Sequence, residues 1–332
     1  MHPMQNQQHY SPTPQPKIPK KRRRKSSMNT SCIPVIDIKD FPGQSEKLIA
    51  ACEEWGCFRI INHKIPLSLM SEMKAVGESL LSLPMEIKRK TFDGVVGKGY
   101  IPPSEINPLY ESLGVYDIAL AEVFHSFCDR LNVSTHQRET ILRYFKAVEE
   151  LARYIGGKLV EALGLDIPEF MQGWPCQFRL LKYHFTPESV GSNGARMHSD
   201  LSYLTILQDD ESVGGLELVD KQSGEIIDVE PSPPGTLLVV LGDIAKAWSN
   251  GRFYNVKHRV QNKEGKPRVS VVAFFLGPKE AKVEAPLELV GSDLPRAYVP
   301  FDVEEYRMVR LSTRSSTGEA LEHFRTTSSI KI

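Results

Sequence analysis

A histidine and an aspartate one residue apart, His198-Ser199-Asp200, constrain this chain more tightly than any other stretch. On a β-strand side chains alternate with a period of two. Residues 198 and 200 would then point to the same side and reach one ion together. A third ligand is on offer in His258, far enough along the chain that it must arrive from another strand. Two imidazoles and one carboxylate on one face of an octahedral Fe(II) leave three positions open for other molecules. The fold must therefore bring two distant strands to one point.

Arg268 follows His258 by about one strand and a turn. Its planar guanidinium suits a carboxylate held at two points. Ser270, two residues on, faces the same way on a strand and adds a hydroxyl donor. An ion with open positions beside an Arg-x-Ser pair points to a keto-acid co-substrate. A His-x-Asp by itself occurs by chance in many chains. The weight here comes from the whole set at strand-compatible spacings.

The surrounding pattern supplies the strands. Residues 177–185, 201–208, 214–219, 226–229, 236–241 and 269–276 read as short strands broken by Gly and Pro turns. Many short strands indicate a sandwich or barrel, and a double-sheet jelly roll meets the description. Upstream, residues 33–38 and 57–63 read as strands, and 45–54 and 68–81 as helices. Residues 135–164 form a long amphipathic helix with Ile141, Phe145, Val148, Leu151, Ile155 and Leu159 on its apolar side. Gly94 to Pro108 is a Gly/Pro-rich loop flanked by Tyr100 and Tyr110, whose simplest role is to fix the loop to the core. The expected fold class is mainly β with α, a double-stranded β-helix (jelly-roll, cupin-like) core with a helical N-terminal part. The expected division is a disordered basic tail (1–31), an N-terminal α/β part (32–170), the jelly-roll core (171–310) and a C-terminal extension (311–332).

Charge separates the tail from the rest. The chain has no net formal charge, yet residues 1–31 hold seven of the 41 Lys and Arg and no acid. The remainder carries 34 bases against 41 acids, a net of −7, which offers nucleic acid no footprint. Lys20-Lys21-Arg22-Arg23-Arg24-Lys25 fits a nuclear import signal read by an import receptor, with a solvated extension as its alternative. A cytoplasmic location, with the nucleus added through that run, is the expectation. No apolar run of about 18 residues exists, so no membrane partner is expected. No apolar signal core opens the chain. The five cysteines (Cys32, Cys52, Cys57, Cys128, Cys176) are scattered without a CxxC pair, which fits reduced thiols and not a zinc finger.

Blocks around the candidate ligands resemble a known family, the plant 2-oxoglutarate- and Fe(II)-dependent dioxygenases. Trp55-Gly56-Cys57-Phe58 with Ile61-Asn62-His63 is similar to their N-terminal signature. Gly242-Asp243, Trp248-Ser249-Asn250-Gly251 and Lys257-His258-Arg259-Val260 resemble the strand-turn-strand carrying their distal ligand. Asn107-Pro108-Leu109-Tyr110-Glu111, Ser126-Phe127-Cys128-Asp129, Lys182-Tyr183-His184-Phe185 and Leu204-Thr205-Ile206-Leu207-Gln208-Asp209-Asp210 look like the subgroup of dioxygenases for auxin oxidation.

The resemblance implies that His198, Asp200 and His258 hold the catalytic iron and that Tyr183, Arg268 and Ser270 bind 2-oxoglutarate. Dioxygen is the implied second co-substrate, and ascorbate an implied support. The implied reaction oxidises indole-3-acetate or its amino-acid conjugates to the 2-oxindole form. Most plant relatives carry Thr where this chain has Ser199, a position facing away from the ion. Many carry Asn where it has Leu181, which reshapes the substrate side.

Bland readings stand beside these. His63, at a strand end, is read as structural. Arg259 points away from the site as a surface charge, and Arg196 is as well explained by a surface ion pair as by substrate. Phe178, Phe274 and Trp248 are read as core. Other readings of function are the same chemistry on another hormone, phenolic or alkaloid, a non-catalytic jelly-roll binding protein, and a nuclear interaction protein led by its tail.

Overall fold

Strands buried on both faces read as near-continuous apolar runs, and residues 237–241 and 271–276 have that character. The computed structural model describes residues 33–41, 43–92 and 98–326 and shows what each face meets. The tail through residue 31 with its basic run 20–25, Cys32, and Gly94 and Gly97 of the loop lie outside the described residues.

The strands are β1 (Val35–Asp37), β2 (Cys57–Ile61), β3 (Gly99–Ile101), β4 (Tyr110–Tyr116), β5 (Cys176–Tyr183) and β6 (Asn193–His198). They continue with β7 (Leu204–Gln208), β8 (Leu216–Val219), β9 (Ile226–Asp228), β10 (Leu237–Leu241), β11 (His258–Gln261) and β12 (Arg268–Phe275). Eight form one sheet in the order β1-β2-β10-β7-β12-β5-β4-β3, and four form a second, β6-β11-β8-β9. The pairing of β1 with β2 is parallel, and the others between these strands are antiparallel. The large sheet thus draws strands from both halves of the chain.

Alternation along β12 sorts its residues. Val269, Val271, Ala273 and Phe275 join the apolar cluster that includes the helices. Arg268, Ser270, Val272 and Phe274 line a cavity between the two sheets. Strand β10 divides likewise, with Leu237, Val239 and Leu241 in the helix-side cluster and Leu238 and Val240 in the inter-sheet one. The result is a two-sheet jelly roll with a helical layer on one side.

That layer holds α1 (Ser45–Ala50), α2 (Leu67–Leu81), α3 (Met85–Lys88), α4 (Ala121–Arg130) and α5 (Thr135–Ala162). Helix α2 buries Leu69, Met70, Met73, Val76 and Leu80, the spacing of one helical face, and packs on β5 and β12. Helix α5 begins at a reciprocal cap. The Ser134 hydroxyl accepts from the Gln137 N–H, and the Gln137 amide oxygen accepts from the Ser134 N–H, a cap worth about 1 kcal/mol.

Most element boundaries shift by a residue or two from the sequence expectation, and a few differences are larger. The expected helix at 45–54 runs as an α-helix to Ala50, continues as a π-helix over Ala51–Trp55, and stops at Gly56 with φ 64°. The strand expected from 201 starts at Leu204, because residues 201–203 form a bend that packs Tyr203 into the helix-side core. Between β10 and β11 the expected simple turn contains α6 (Asp243–Trp248), and α7 (Val303–Ser312) follows β12. Among the described residues the four cysteines are buried and free, and no helix is long and apolar enough to cross a membrane.

Candidate active site

His198 is the last residue of β6 and His258 the first of β11, and the antiparallel register sets them directly opposite each other. Their ring centroids lie 4.2 Å apart. Asp200 arrives differently from expectation. Strand β6 ends at His198, so residues 198 and 200 do not share a strand. The Ser199 N–H donates to the Ser316 carbonyl at 2.8 Å instead of to a ladder, and the chain turns there. From that turn Asp200 Oδ1 stands 3.7 Å from Nε2 of each histidine. The three ligand atoms lie within 4.8 Å of one another.

Each group presents the atom that an ion needs. His198 Nδ1 lies 2.8 Å from the Arg196 carbonyl and His258 Nδ1 lies 3.2 Å from the Val256 carbonyl. A carbonyl only accepts, so Nδ1 carries the proton and Nε2 keeps its lone pair for metal. Thr205 Oγ1 donates to Asp200 Oδ2 at 2.7 Å, which leaves Oδ1 facing the imidazoles. Partial burial, and then the neighbouring His258, push the His198 imidazole down to about 4. It is neutral at neutral pH, the form that ligates.

The second half of the site lies on β12 and β5. Arg268 is the register partner of Tyr183, and Ser270 of Leu181. Arg268 is 1% exposed. One end of its guanidinium donates to the Asp209 carboxylate and Nη1 donates to Ser270 Oγ at 3.3 Å. Its carbon stands 5.3 Å from the Tyr183 ring centre. Nε is buried without a hydrogen-bond partner, a donor that a ligand can use. Burial pushes the Asp209 carboxyl up, against the pull of Arg268. Burial also raises the Tyr183 hydroxyl well above its ordinary range.

Both halves open into one cavity of about 70 Å³. Its apolar walls include Leu181, Leu207, Leu218, Val240, Val260 and Phe274. Phe274 is therefore a wall of the site and not core, because it shares the parity of Arg268 and Ser270 on β12. Phe178 and Trp248 do sit in the helix-side core. His63 lies outside the ligand cluster, with Nδ1 accepting the Ile65 N–H at 3.4 Å. Arg259 turns away and pairs with Glu217. Arg196 serves the site through its carbonyl. Tyr100 fixes the loop, donating to buried Glu111 at 2.7 Å, and Tyr110 packs 5.5 Å from Tyr183.

Thr205 and Asp209 are the partners that sequence reasoning missed. Strand parity carried a faint signal for Thr205, two residues before a wall residue. Nothing local marks Asp209, whose partner lies 59 residues away.

Two imidazoles, one carboxylate and a buried arginine with a spare donor fit Fe(II) and a dicarboxylic keto-acid. The site defines a mononuclear non-haem iron oxygenase. The chain belongs to the 2OG-Fe(II) oxygenase superfamily, whose model matches residues 174–278. Residues 33–112 match the model of the N-terminal region of the non-haem dioxygenase in morphine synthesis. The chain is 45% identical over 294 residues to the 2-oxoglutarate-dependent dioxygenase DAO of Oryza sativa subsp. japonica, covering 87% of this chain and 97% of that one.

The fold superposes on the crystal structure of the rice dioxygenase for auxin oxidation with a TM-score of 0.81 and 44% identity, over 89% of this chain and 100% of that chain. It also matches dioxygenase for auxin oxidation 1 from Arabidopsis thaliana, bound to 2-oxoglutarate, with a TM-score of 0.76 and 48% identity over 80% and 100% of the two chains. The protein is a 2-oxoglutarate- and Fe(II)-dependent dioxygenase acting on a small molecule. The reading as a non-catalytic binding module is not favoured.

Proposed function

We propose that this dioxygenase oxidises indole-3-acetate, or an amino-acid conjugate of it, to the 2-oxindole form. In this reading His198, Asp200 and His258 hold Fe(II), and Arg268, Ser270 and Tyr183 hold 2-oxoglutarate. The observation that carries the substrate is the likeness to rice DAO across 97% of that enzyme's length. The site's own chemistry agrees with it. An indole ring needs apolar walls, and Leu181, Val240 and Phe274 supply them beside the ligand cluster.

Fe(II) with 2-oxoglutarate and dioxygen supplies the oxidation, in which the keto-acid leaves as succinate and carbon dioxide and one oxygen atom goes to the substrate. The protein's part is placement. The Arg196 and Val256 carbonyls hold both imidazoles with Nε2 inward. Thr205 holds the carboxylate with Oδ1 inward. Arg268 and Ser270 give the far carboxylate of the keto-acid a charged, buried seat, with Tyr183 beside it. The apolar walls keep water from competing for the open positions.

The test is succinate release with Fe(II), ascorbate and 2-oxoglutarate, given indole-3-acetate, its aspartate and glutamate conjugates, and unrelated plant metabolites. Coupled release with an auxin that gains one oxygen atom is expected. Coupled release only with another substrate would reject auxin and keep the family chemistry.

A further inference from the structure

We propose that Arg310, on α7 beyond the segment matched by the oxygenase model, is a positioning residue for the metal-ligand turn. It acts through Ser199 and Asp243, and it rests on the ligand set proposed above.

Ser199 stands between the two proposed ligands His198 and Asp200 and is fully buried. All three of its polar groups are engaged by distant parts of the chain. Its N–H donates to the Ser316 carbonyl at 2.8 Å, its carbonyl accepts from Arg310 Nη2, and its hydroxyl donates to Asp243 Oδ1 at 2.7 Å.

Asp243 is fully buried and accepts from four groups, the full capacity of a carboxylate. They are Ser199 Oγ, Asn255 Nδ2 at 2.7 Å, Tyr306 Oη at 2.6 Å and Arg310 Nη1. The Asp243 N–H in turn donates to the Asp200 carbonyl at 2.8 Å, so the far side of the turn is tied to the same carboxylate residue. Arg310 closes the ring by donating to the Ser316 carbonyl at 3.0 Å.

Close packing leaves this ring little slack. A Cβ on Gly318, whose φ is 88°, would stand 2.4 Å from Asn255 Nδ2, and one on Gly242 would stand 2.6 Å from the Asp200 carbonyl. Residues 198–200 are thus held by a C-terminal element that belongs to neither sheet. Without the guanidinium, Asp243 and the Ser199 and Ser316 carbonyls lose the one donor they share, and the remaining bonds of the turn lose the group that ties them together. Ligand position then drifts, which metal affinity reads directly. Loss of such outer partners lowers metal affinity by about 10–100-fold.

The experiment uses the full-length, metal-free protein and titrates Co(II) calorimetrically, recording its visible absorption as a report on coordination geometry. Arg310→Met is expected to weaken Co(II) binding by about 10–100-fold and to alter the spectrum, with Arg310→Lys recovering part of both. Wild-type affinity and spectrum in Arg310→Met, with only a lower melting temperature, would overturn the proposal. Should Arg310→Met not fold, Arg310→Lys decides, since one ammonium on a shorter stem cannot serve Asp243 and both carbonyls as the planar guanidinium does. Weakened Co(II) binding there supports the proposal and wild-type binding overturns it. Undiminished Co(II) binding by His198→Ala would reject the ligand set itself, and this inference with it.

Discussion

The two faces of the large sheet are made by the same strands and serve opposite ends. Towards the helices, Phe178, Leu180, Ile206, Val239 and Val271 pack into one apolar cluster. Towards the small sheet the alternate residues of those strands include Tyr183, Thr205, Arg268 and Ser270, together with Asp200, His198 and His258 from across the gap. One residue of register separates a side chain that stabilises the fold from one that lines the candidate site. The helix face supplies the burial energy, about 1.5–3 kcal/mol for each large side chain, and the other face holds charge inside the protein against its own desolvation cost. Substitutions on the two faces should therefore fail in different assays.

The largest effect belongs to the ligand cluster. His198→Ala or Asp200→Ala should abolish succinate release and cut metal affinity by more than about a hundredfold, beyond what outer partners cost. Denaturant unfolding of the metal-free protein should change little for His198→Ala, whose side chain is 33% exposed. Retained Fe(II)-dependent turnover would break the assignment of this face.

Arg268 joins the two kinds of loss. Arg268→Met removes the proposed seat of the keto-acid and also leaves Asp209 buried without its partner, a cost of about 3–5 kcal/mol. The double variant Arg268→Met with Asp209→Asn should recover most of that stability in urea while 2-oxoglutarate binding stays lost. Recovery of co-substrate binding in the double variant would show that Arg268 does not bind it.

The sequence made one face legible and left the other blurred. His198, Asp200, His258, Arg268 and Ser270 are legible as candidates because a His-x-Asp pair, a distant His and an Arg-x-Ser pair form one set at strand-compatible spacings. The strands around them were readable from β-branched runs. Which face an apolar residue meets was not, because a strand buried on both sides has no polar-apolar contrast to mark its phase. Phe274 and Phe275 look alike in sequence, and only the pairing of β12 with β5 and β7 sends one to the cavity and the other to the core. Asp200 reads as a strand residue because nothing local announces that the Ser316 carbonyl takes the Ser199 N–H. Thr205, Asp209, Asp243 and Arg310 take their roles from partners distant in sequence or set by a turn, and spacing rules do not reach them.

Neighbouring leucines on β5 give the finest separation of the faces. Leu180 lies in the helix-side cluster against Gly77 of α2, while Leu181 lines the cavity. Leu180→Ala should cost about 2–5 kcal/mol in urea unfolding and leave the KM for 2-oxoglutarate unchanged. Leu181→Asn, which restores the amide common in relatives, should alter the KM for the organic substrate and the product ratio while costing less stability. Equal stability losses with unchanged KM at both positions would erase the distinction.

The smallest effect tests whether a buried imidazole outside both faces behaves as structure alone. His63 is buried beyond β2, away from the ligand cluster, and burial lowers its affinity for a proton. A depressed histidine binds fewer protons folded than unfolded, so stability rises with pH across its titration. The contribution is fully present above the ordinary histidine range and is lost as pH falls from there through the depressed value. His63→Leu cannot take up that proton, so its unfolding free energy should fall less than the wild type's between pH 7 and pH 5, roughly the lower reach of the ordinary range. Metal affinity should be the same in both proteins at pH 7. A change in metal affinity would bring His63 back into the site, and parallel pH profiles would mean that the imidazole is not desolvated as its burial implies.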